Sequence, residues 1–239
     1  MKQIGEELGV AYILEGSVQR VGNKVHVTGQ LIDARSDRHV WAKNYDKDLS
    51  DIFVIQAEIA KAIAGELRAV LSPQEKTLIE RRPTENPAAY DLYLKARELA
   101  RGLGVPGAMS RGEALLQAAV ELDPKFAIAW AQLCYVQSYR YFFNQDHTPA
   151  QRAKAKAAMD TAVRLAPESP EAIRAVGDYY YYGLRDYARA VEQYEGLARL
   201  QPNYPEVHTF LGSVFRRQGR WVDALARLRK VVQLDPGYV

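Results

Sequence analysis

The sequence predicts an α+β chain: a small α-β-β-β-α domain followed by an all-α solenoid of helical hairpins. Three observations carry that expectation. Apolar and polar residues alternate with period two through Tyr12 to Asp33 and again near His39 to Tyr45. From Asn86 onward only helical periodicity survives. Finally, Pro124, Pro167, Pro202 and Pro236 punctuate a recurring helix pair at intervals of 43, 35 and 34 residues. These readings divide the chain into residues 1–72, a polar linker over 73–86, and about four hairpin units over 87–239.

In the first part, Ile4 and Leu8 share one face of a short helix that Gly9 ends in a left-handed cap. Val10 to Leu14 then reads as a strand buried on both faces. Gly22-Asn23 fits the two positive-φ positions of a tight hairpin turn, after which Val25, Val27 and Leu31 face the core. Within the first strand, Gly16 marks a close approach or a bulge, with Glu15 and Ser17 together on the other face. A third strand, roughly His39 to Tyr45, follows the Ser36-Asp37 turn. From Ser50 the period becomes helical, with Ile52, Ile55, Ile59, Ile63 and Leu67 on one stripe that can lie across the sheet.

In the second part the last unit places His208, Leu211, Gly212 and Phe215 on its first helix and Ala224, Leu228 and Val231 on its second. The unit ending at Pro202 offers Ile173, Val176, Gly177 and Tyr180, then Ala190, Tyr194 and Leu197, with one extra residue expected in the turn at Gly183-Leu184-Arg185. The unit ending at Pro167 offers Trp130, Leu133 and Cys134, then Ala155, Met159 and Ala162. Its excess length reads as an extended inter-helix turn over 142–149. The first unit, Tyr90 to Pro124, has its clearest packing residues in Gly112, Leu116 and Ala119.

This small-large spacing at a period of 34 resembles the tetratricopeptide repeat over residues 86–239. The segments LGVAYILEGSVQR, VHVTGQLIDA, VWAKNYD and DIFVIQAEIAKAIA resemble the TolB-like N-terminal domain, also compared with FlgO-like domains, over residues 1–71. That family's fold normally begins with another strand and helix before the segment that starts here at Met1. The resemblance therefore implies a domain met from its middle, with an open sheet edge able to pair with a second copy. It also implies a bacterial sensory or assembly part of a larger protein such as a class III adenylate cyclase, a CadC-like winged-helix regulator or a serine/threonine kinase. In that case the effector lies upstream of Met1, and the compartment is the cytoplasm or, beyond an upstream transmembrane helix, the periplasm. No catalytic residues belong to that domain.

Composition limits the remaining function classes. The 239 residues are 48% hydrophobic, and 32 Lys and Arg stand against 29 Asp and Glu, for a net charge of +3. That balance builds no field of the kind that attracts nucleic acid or an anionic membrane. No apolar run reaches the roughly 20 residues of a membrane span, and Met1-Lys2-Gln3-Ile4-Gly5-Glu6-Glu7 is too acidic for a secretory signal. The single Cys134 reads as a buried apolar residue.

Gly102-Leu103-Gly104-Val105-Pro106-Gly107 spells G-x-G-x-x-G, but it follows a helical run instead of a strand, so it reads as a turn. His26, His39, His147 and His208 lack metal-ligand spacing, and no cofactor is expected. Gln151-Arg152-Ala153-Lys154-Ala155-Lys156 reads as a solvated helix face without an aromatic platform.

The surplus is aromatic. In repeat arrays the first helices line a concave groove, and the register places Tyr135, Tyr139, Arg174, Asp178, Tyr181, Tyr182, Arg216 and Arg217 near that surface. Tyr and Arg combine large contact area with hydrogen bonding, which is why they dominate binding hot spots. The expected function is thus non-catalytic: a protein-interaction module that binds a peptide or protein segment, with no nucleic acid partner and no membrane insertion of its own.

Overall fold

The computed structural model describes residues 1–101 and 105–238. The fold is α+β, a small three-stranded antiparallel sheet with helices followed by an all-α solenoid of helical hairpins. The chain divides into two compact units, Met1–Pro87 and Ala88–Val239.

The first unit opens with α1 (Lys2–Leu8), which Gly9 ends at φ 64° in the left-handed region. Gly5 lets this helix approach the chain closely, since a Cβ there would lie 2.5 Å from that of Ala34. Strands β1 (Tyr12–Val21), β2 (Lys24–Asp33) and β3 (Arg38–Asp48) pair in that order. At the first hairpin Val21 faces Lys24, and only Gly22 of the two turn residues takes positive φ, at 61°. That is the type II′ pattern, where two positive φ angles were expected. Val25, Val27 and Leu31 are buried as read, and α2 (Ile52–Glu66) lays Ile55 over Val25, Val27 and Tyr45.

Three readings of this unit are corrected, and one that left two alternatives is resolved. Strand β1 begins at Tyr12, not Val10, and is exposed instead of buried on both faces, with Leu14 at 54% and Val18 at 66% exposure. It is an edge strand, while α2 packs on β2 and β3. The pairing of β1 with β2 runs unbroken through Gly16, so that glycine marks a close approach without a bulge: a Cβ there would meet the Thr28 carbonyl at 2.5 Å. Of the stripe on α2 only Ile55 is buried; Ile52, Ile59 and Ile63 are half-buried, and Leu67 falls beyond the helix end and is exposed. The stretch read as linker holds α3 (Pro73–Glu80), whose start is fixed reciprocally by the Ser72 hydroxyl and the Glu75 carboxylate.

The second unit comprises four helix pairs. They are α4 (Pro87–Arg101) with α5 (Ala108–Leu122), α6 (Ala127–Phe142) with α7 (Pro149–Leu165), α8 (Pro170–Asp178) with α9 (Tyr187–Leu200), and α10 (Pro205–Arg217) with α11 (Trp221–Leu234). Pro at the first helical turn and Thr148, Ser169 and Asp186 as side-chain caps start several of these helices. Glycines sit where partner helices touch: a Cβ on Gly177 would lie 2.5 Å from the Tyr194 ring, and one on Gly212 would lie 3.0 Å from Leu228.

The two departures from the 34-residue period are absorbed only in part where the sequence reading put them. The 43-residue interval has a longer inter-helix turn, as read, over 143–148 against 218–220 in the last pair, but it also lengthens its helices, α6 to 16 residues and α7 to 17, against 13 and 14 in the last pair. Phe142 is accordingly the last, buried residue of α6 and not part of a turn. The 35-residue interval is taken up inside a helix. After Asp178, α8 continues as a π-helical turn over Tyr179–Leu184, which ends at Arg185 with φ 54°. A π turn spends one more residue per hydrogen-bonded loop than an α turn, so the extra residue sits in the helix and the connection to α9, residues 185–186, is no longer than residues 218–220 of the last pair.

Two substitutions test the role of the glycines. Gly177→Ala, which overpacks against a fully buried ring, is expected to cost about 1–3 kcal/mol in urea unfolding. Gly65→Ala, in a helix with nothing within 4 Å, is expected to stabilise its unit by about 0.5–1 kcal/mol.

Candidate functional site

The first helices of the second and third pairs bring aromatic rings together from two places in the sequence, and the fourth adds an arginine. Tyr135 and Tyr139 on α6 lie one turn apart, with ring centroids separated by 5.9 Å, and each is 5.8 Å from the ring of Tyr182 in the π turn. Phe143, which the sequence reading did not select, adds a ring 4.3 Å from Tyr139 and is 47% exposed. Phe142 stacks on Tyr181 at 5.7 Å, and Tyr181 meets Tyr182 edge-on at 4.4 Å. The rings form one connected sheet of edge and face contacts. Each such pair contributes about 0.5–1.5 kcal/mol beyond area burial.

Arginines border this cluster. The Arg174 guanidinium lies 5.0 Å from the Tyr135 ring and 5.1 Å from Phe210. Arg217 lies 5.3 Å from Phe142, and its Nε donates to the Tyr181 hydroxyl at 3.4 Å. Arg185, a second residue missed in the sequence, lies 5.1 Å from the same Phe142 ring.

Of the eight residues expected at the groove, Tyr135, Tyr139, Tyr182 and Arg174 are partly exposed within the cluster, and Arg217 is exposed at its edge. Arg216 is exposed but is joined to the cluster by none of these contacts. The other two are corrected. Tyr181 is only 4% exposed and fills space behind Tyr182. Asp178, 1% exposed, is walled off entirely: its carboxylate accepts from the Tyr194 hydroxyl at 2.7 Å and from Arg174 Nε at 3.2 Å. An acidic letter on a first helix is thus a support for Arg174, not a ligand contact.

Electrostatics follow the packing. Burial pushes the Asp178 carboxyl up from its ordinary value, against the pull of Arg174 and the Tyr194 hydroxyl. Burial is the largest influence on Arg174 and disfavours its charge, but the Asp178 carboxylate together with Tyr135, Tyr194 and Tyr204 holds the guanidinium above its ordinary value. Burial likewise raises Tyr135 and Tyr182, so these phenols stay neutral and offer O–H groups at physiological pH.

Elsewhere the chemistry is structural. Burial raises the Cys134 thiol, which donates to the Ala175 carbonyl at 3.4 Å. His26 meets Asp46 at 2.6 Å on an exposed sheet face, and His147 stacks on Tyr141. Ser17 and Glu15 make cross-strand hydrogen bonds to Thr28 and Gln30. Among the described residues no group of three or more His, Cys, Asp or Glu is placed to hold a metal. Of the glycine-rich stretch, Gly102, Leu103 and Gly104 lie outside the described residues; Gly107, at φ 73°, immediately precedes α5. Tyr141 does lie under Arg152, so the basic run on α7 has one ring beside it where none was expected. A cleft of about 560 Å³ between α5, α6 and α7 is a separate feature, lined by Glu113, Trp130, Gln137, Arg140 and Lys154, with Glu113 paired to Arg140. No helix is long and apolar enough to cross a membrane among the described residues.

The buried pair behind the cluster predicts a pH signature. Because the folded Asp178 carboxyl lies above its ordinary value of 3.8, its contribution to stability is greatest in acid and shrinks as pH rises through the folded value. Tyr194→Phe deletes one of the groups that favours the ionised form. Its cost is expected to be about 1–3 kcal/mol at pH 7 and smaller near pH 4, read from urea unfolding at the two pH values.

A profile of the tetratricopeptide repeat matches residues 179–239. A protein of Rhizobium meliloti (strain 1021) named "Putative adenylate cyclase 3" is 35% identical over 145 residues, 61% of this chain, which spans 24% of that protein's length. Solved structures with likeness to the chain include MamA residues 41 to the end from Desulfovibrio magneticus RS-1, at 18% identity, covering 79% of this chain and 96% of that one with a TM-score of 0.41. A second MamA crystal structure gives 18% identity, 79% and 95% coverage and a TM-score of 0.40. The tetratricopeptide match begins at the first tyrosine of the π turn, and so takes in that turn with α9, α10 and α11.

Proposed function

We propose that this chain is a non-catalytic protein-interaction module whose helical part holds a peptide or protein segment on the face of its first helices. The observation that carries the reading is the joined aromatic surface, Tyr135, Tyr139, Phe143 and Tyr182, bordered by Arg174 and Arg217. Such rings present large apolar area with few rotatable bonds, and the arginines add forked donors, the composition of a binding hot spot. Tyr181 and Asp178 act from behind by fixing Tyr182 and Arg174. Arg216 lies at the outer margin of the same face. In this reading residues 1–72 form a TolB-like part, and four repeat units end near Pro124, Pro167, Pro202 and Pro236.

A second reading has its own support in the named relative. The chain matches about a quarter of a protein called an adenylate cyclase, which favours a regulatory region of a larger signalling protein whose effector is encoded upstream. Reading the DNA before Met1 separates the two: an in-frame continuation encoding a catalytic domain supports the regulatory role, while a ribosome-binding site directly ahead of Met1 removes it.

The groove itself is tested by site-specific photocrosslinking in the source bacterium. A benzophenone amino acid replacing Phe143 is expected to capture a partner, whereas the same group replacing Gln117, an exposed residue of the second helix α5, is not. Tyr139→Ala or Arg217→Ala is expected to weaken the captured complex by about 2 kcal/mol or more. Equal capture from both positions sinks the assignment.

A further inference from the structure

The edge of the aromatic surface carries an unbalanced charge. Arg185 and Arg217 both stack on the ring of Phe142, at 5.1 and 5.3 Å from its centroid, so their guanidinium carbons are no more than about 10 Å apart. Among the described residues neither makes an ion pair, nor does the exposed Arg216 next to Arg217. The carboxylates nearest in sequence are spoken for: Asp186 caps α9 and pairs with Arg189, Asp223 pairs with Arg220, and Asp178 is buried against Arg174. Two like charges held over one ring without an anion repel each other, and an anion arriving between them gains from both.

The backbone at Arg185 points the same way. It ends the π turn in the left-handed region, φ 54°, where glycine is the usual residue and a side chain is disfavoured. The arginine side chain is exposed and lies against Phe142, and it makes no hydrogen bond among the described residues. An exposed arginine at a strained position, beside a second arginine that lacks an acidic partner, gains only a ring contact inside the fold, and its forked donors are left for something outside the chain.

We propose that Arg185 and Arg217, stacked on Phe142 beside the exposed ring of Phe143, form an anion-reading end of the groove. The ligand is a peptide segment in which an Asp or Glu side chain neighbours an aromatic one. The carboxylate takes the guanidinium forks while the aromatic side chain lies on Phe143 and Tyr139. Charge complementarity selects this occupant: Arg185 and Arg217 border the rings without acidic partners among the described residues, and the carboxylates beside them are engaged internally. The proposal rests on the groove reading above and goes further by naming the chemistry of the partner.

The test is selection of a random heptapeptide phage library on the intact chain, followed by anisotropy titration of the most enriched peptides. Enrichment of Asp or Glu adjacent to Phe, Tyr or Trp is expected. In Arg185→Gly combined with Arg217→Ala the acidic preference disappears and the strongest peptide binds about tenfold or more weakly. Arg185→Gly alone relieves the strained backbone, so its Tm is expected to equal or exceed that of the parent while its affinity falls, which separates lost recognition from lost folding. Enrichment of aromatic residues without acids leaves the groove reading standing and overturns the anion site. Acidic enrichment that survives both arginine substitutions overturns it as well, and no enrichment at all overturns both readings.

Discussion

The third hairpin has one residue too many for its repeat, and the site depends on where that residue is stored. A loop insertion would have left α8 and α9 as ordinary neighbours; a residue added to a regular helix would have rotated everything beyond it by about 100°. The chain instead widens one turn, Tyr179–Leu184, to π geometry. Gly177 before the turn still meets Tyr194, and Gly183 within it accepts the ring of Tyr179, to which a Cβ would come within 2.9 Å. The register of the helix pair is kept, and the tyrosines are shared between two cores. Tyr179 joins the cluster that contains Leu133 and Phe126, while Tyr181 joins that of Leu211 and Phe215. The turn thus pins the first two hairpins to the last two, which a continuous solenoid with only nearest-neighbour contacts needs at every junction.

What is built on that turn favours definition over stability. The Asp178–Arg174 pair is a buried charge placed one residue before the widening, and the desolvation of such a pair offsets most of its attraction. A guanidinium stacked on an aromatic ring adds about 0.5–2 kcal/mol, on the scale of a single hydrogen bond. Those terms are too small and too nearly cancelling to explain the fold, whose cores are apolar. They do fix one rotamer of Arg174, between Tyr135 and Phe210, and so fix the face that Tyr135 and Tyr182 present. Rigid presentation of rings lowers the entropy lost when a ligand orders them.

The parts of this architecture that were readable in the sequence are those with a strict period. Prolines after successive helix pairs revealed the hairpins, and alternation placed Val25, Val27 and Leu31 inside. The start of α3 is also written plainly, in Ser72-Pro73-Gln74-Glu75, but its polar surroundings lack the apolar stripe that marks a packed helix. Other features had no letter to announce them. An inserted residue looks the same in a sequence whether it widens a helix or lengthens a turn. Asp178 stands at a helical position that is normally solvated, and its burial follows only from Tyr194, sixteen residues on, reaching back with its hydroxyl. Strand β1 alternates correctly, yet alternation says which side chains share a face and not whether anything covers that face.

Net charge misled for a related reason. A balance of +3 over 239 residues suggests a bland surface, and as an average it is one. Folding then sorts the charges by use: one carboxylate goes under the cluster, and others close short-range pairs at the starts of second helices, as Asp186 does with Arg189 and Asp223 with Arg220. Arg185, Arg216 and Arg217, at the far ends of the first helices of the third and fourth pairs, are left over, their charge complementing the carbonyl ends of those helices but paired with no carboxylate among the described residues. Local potential at a groove therefore depends on which carboxylates are already engaged, and a near-neutral chain can still offer a cationic, aromatic face.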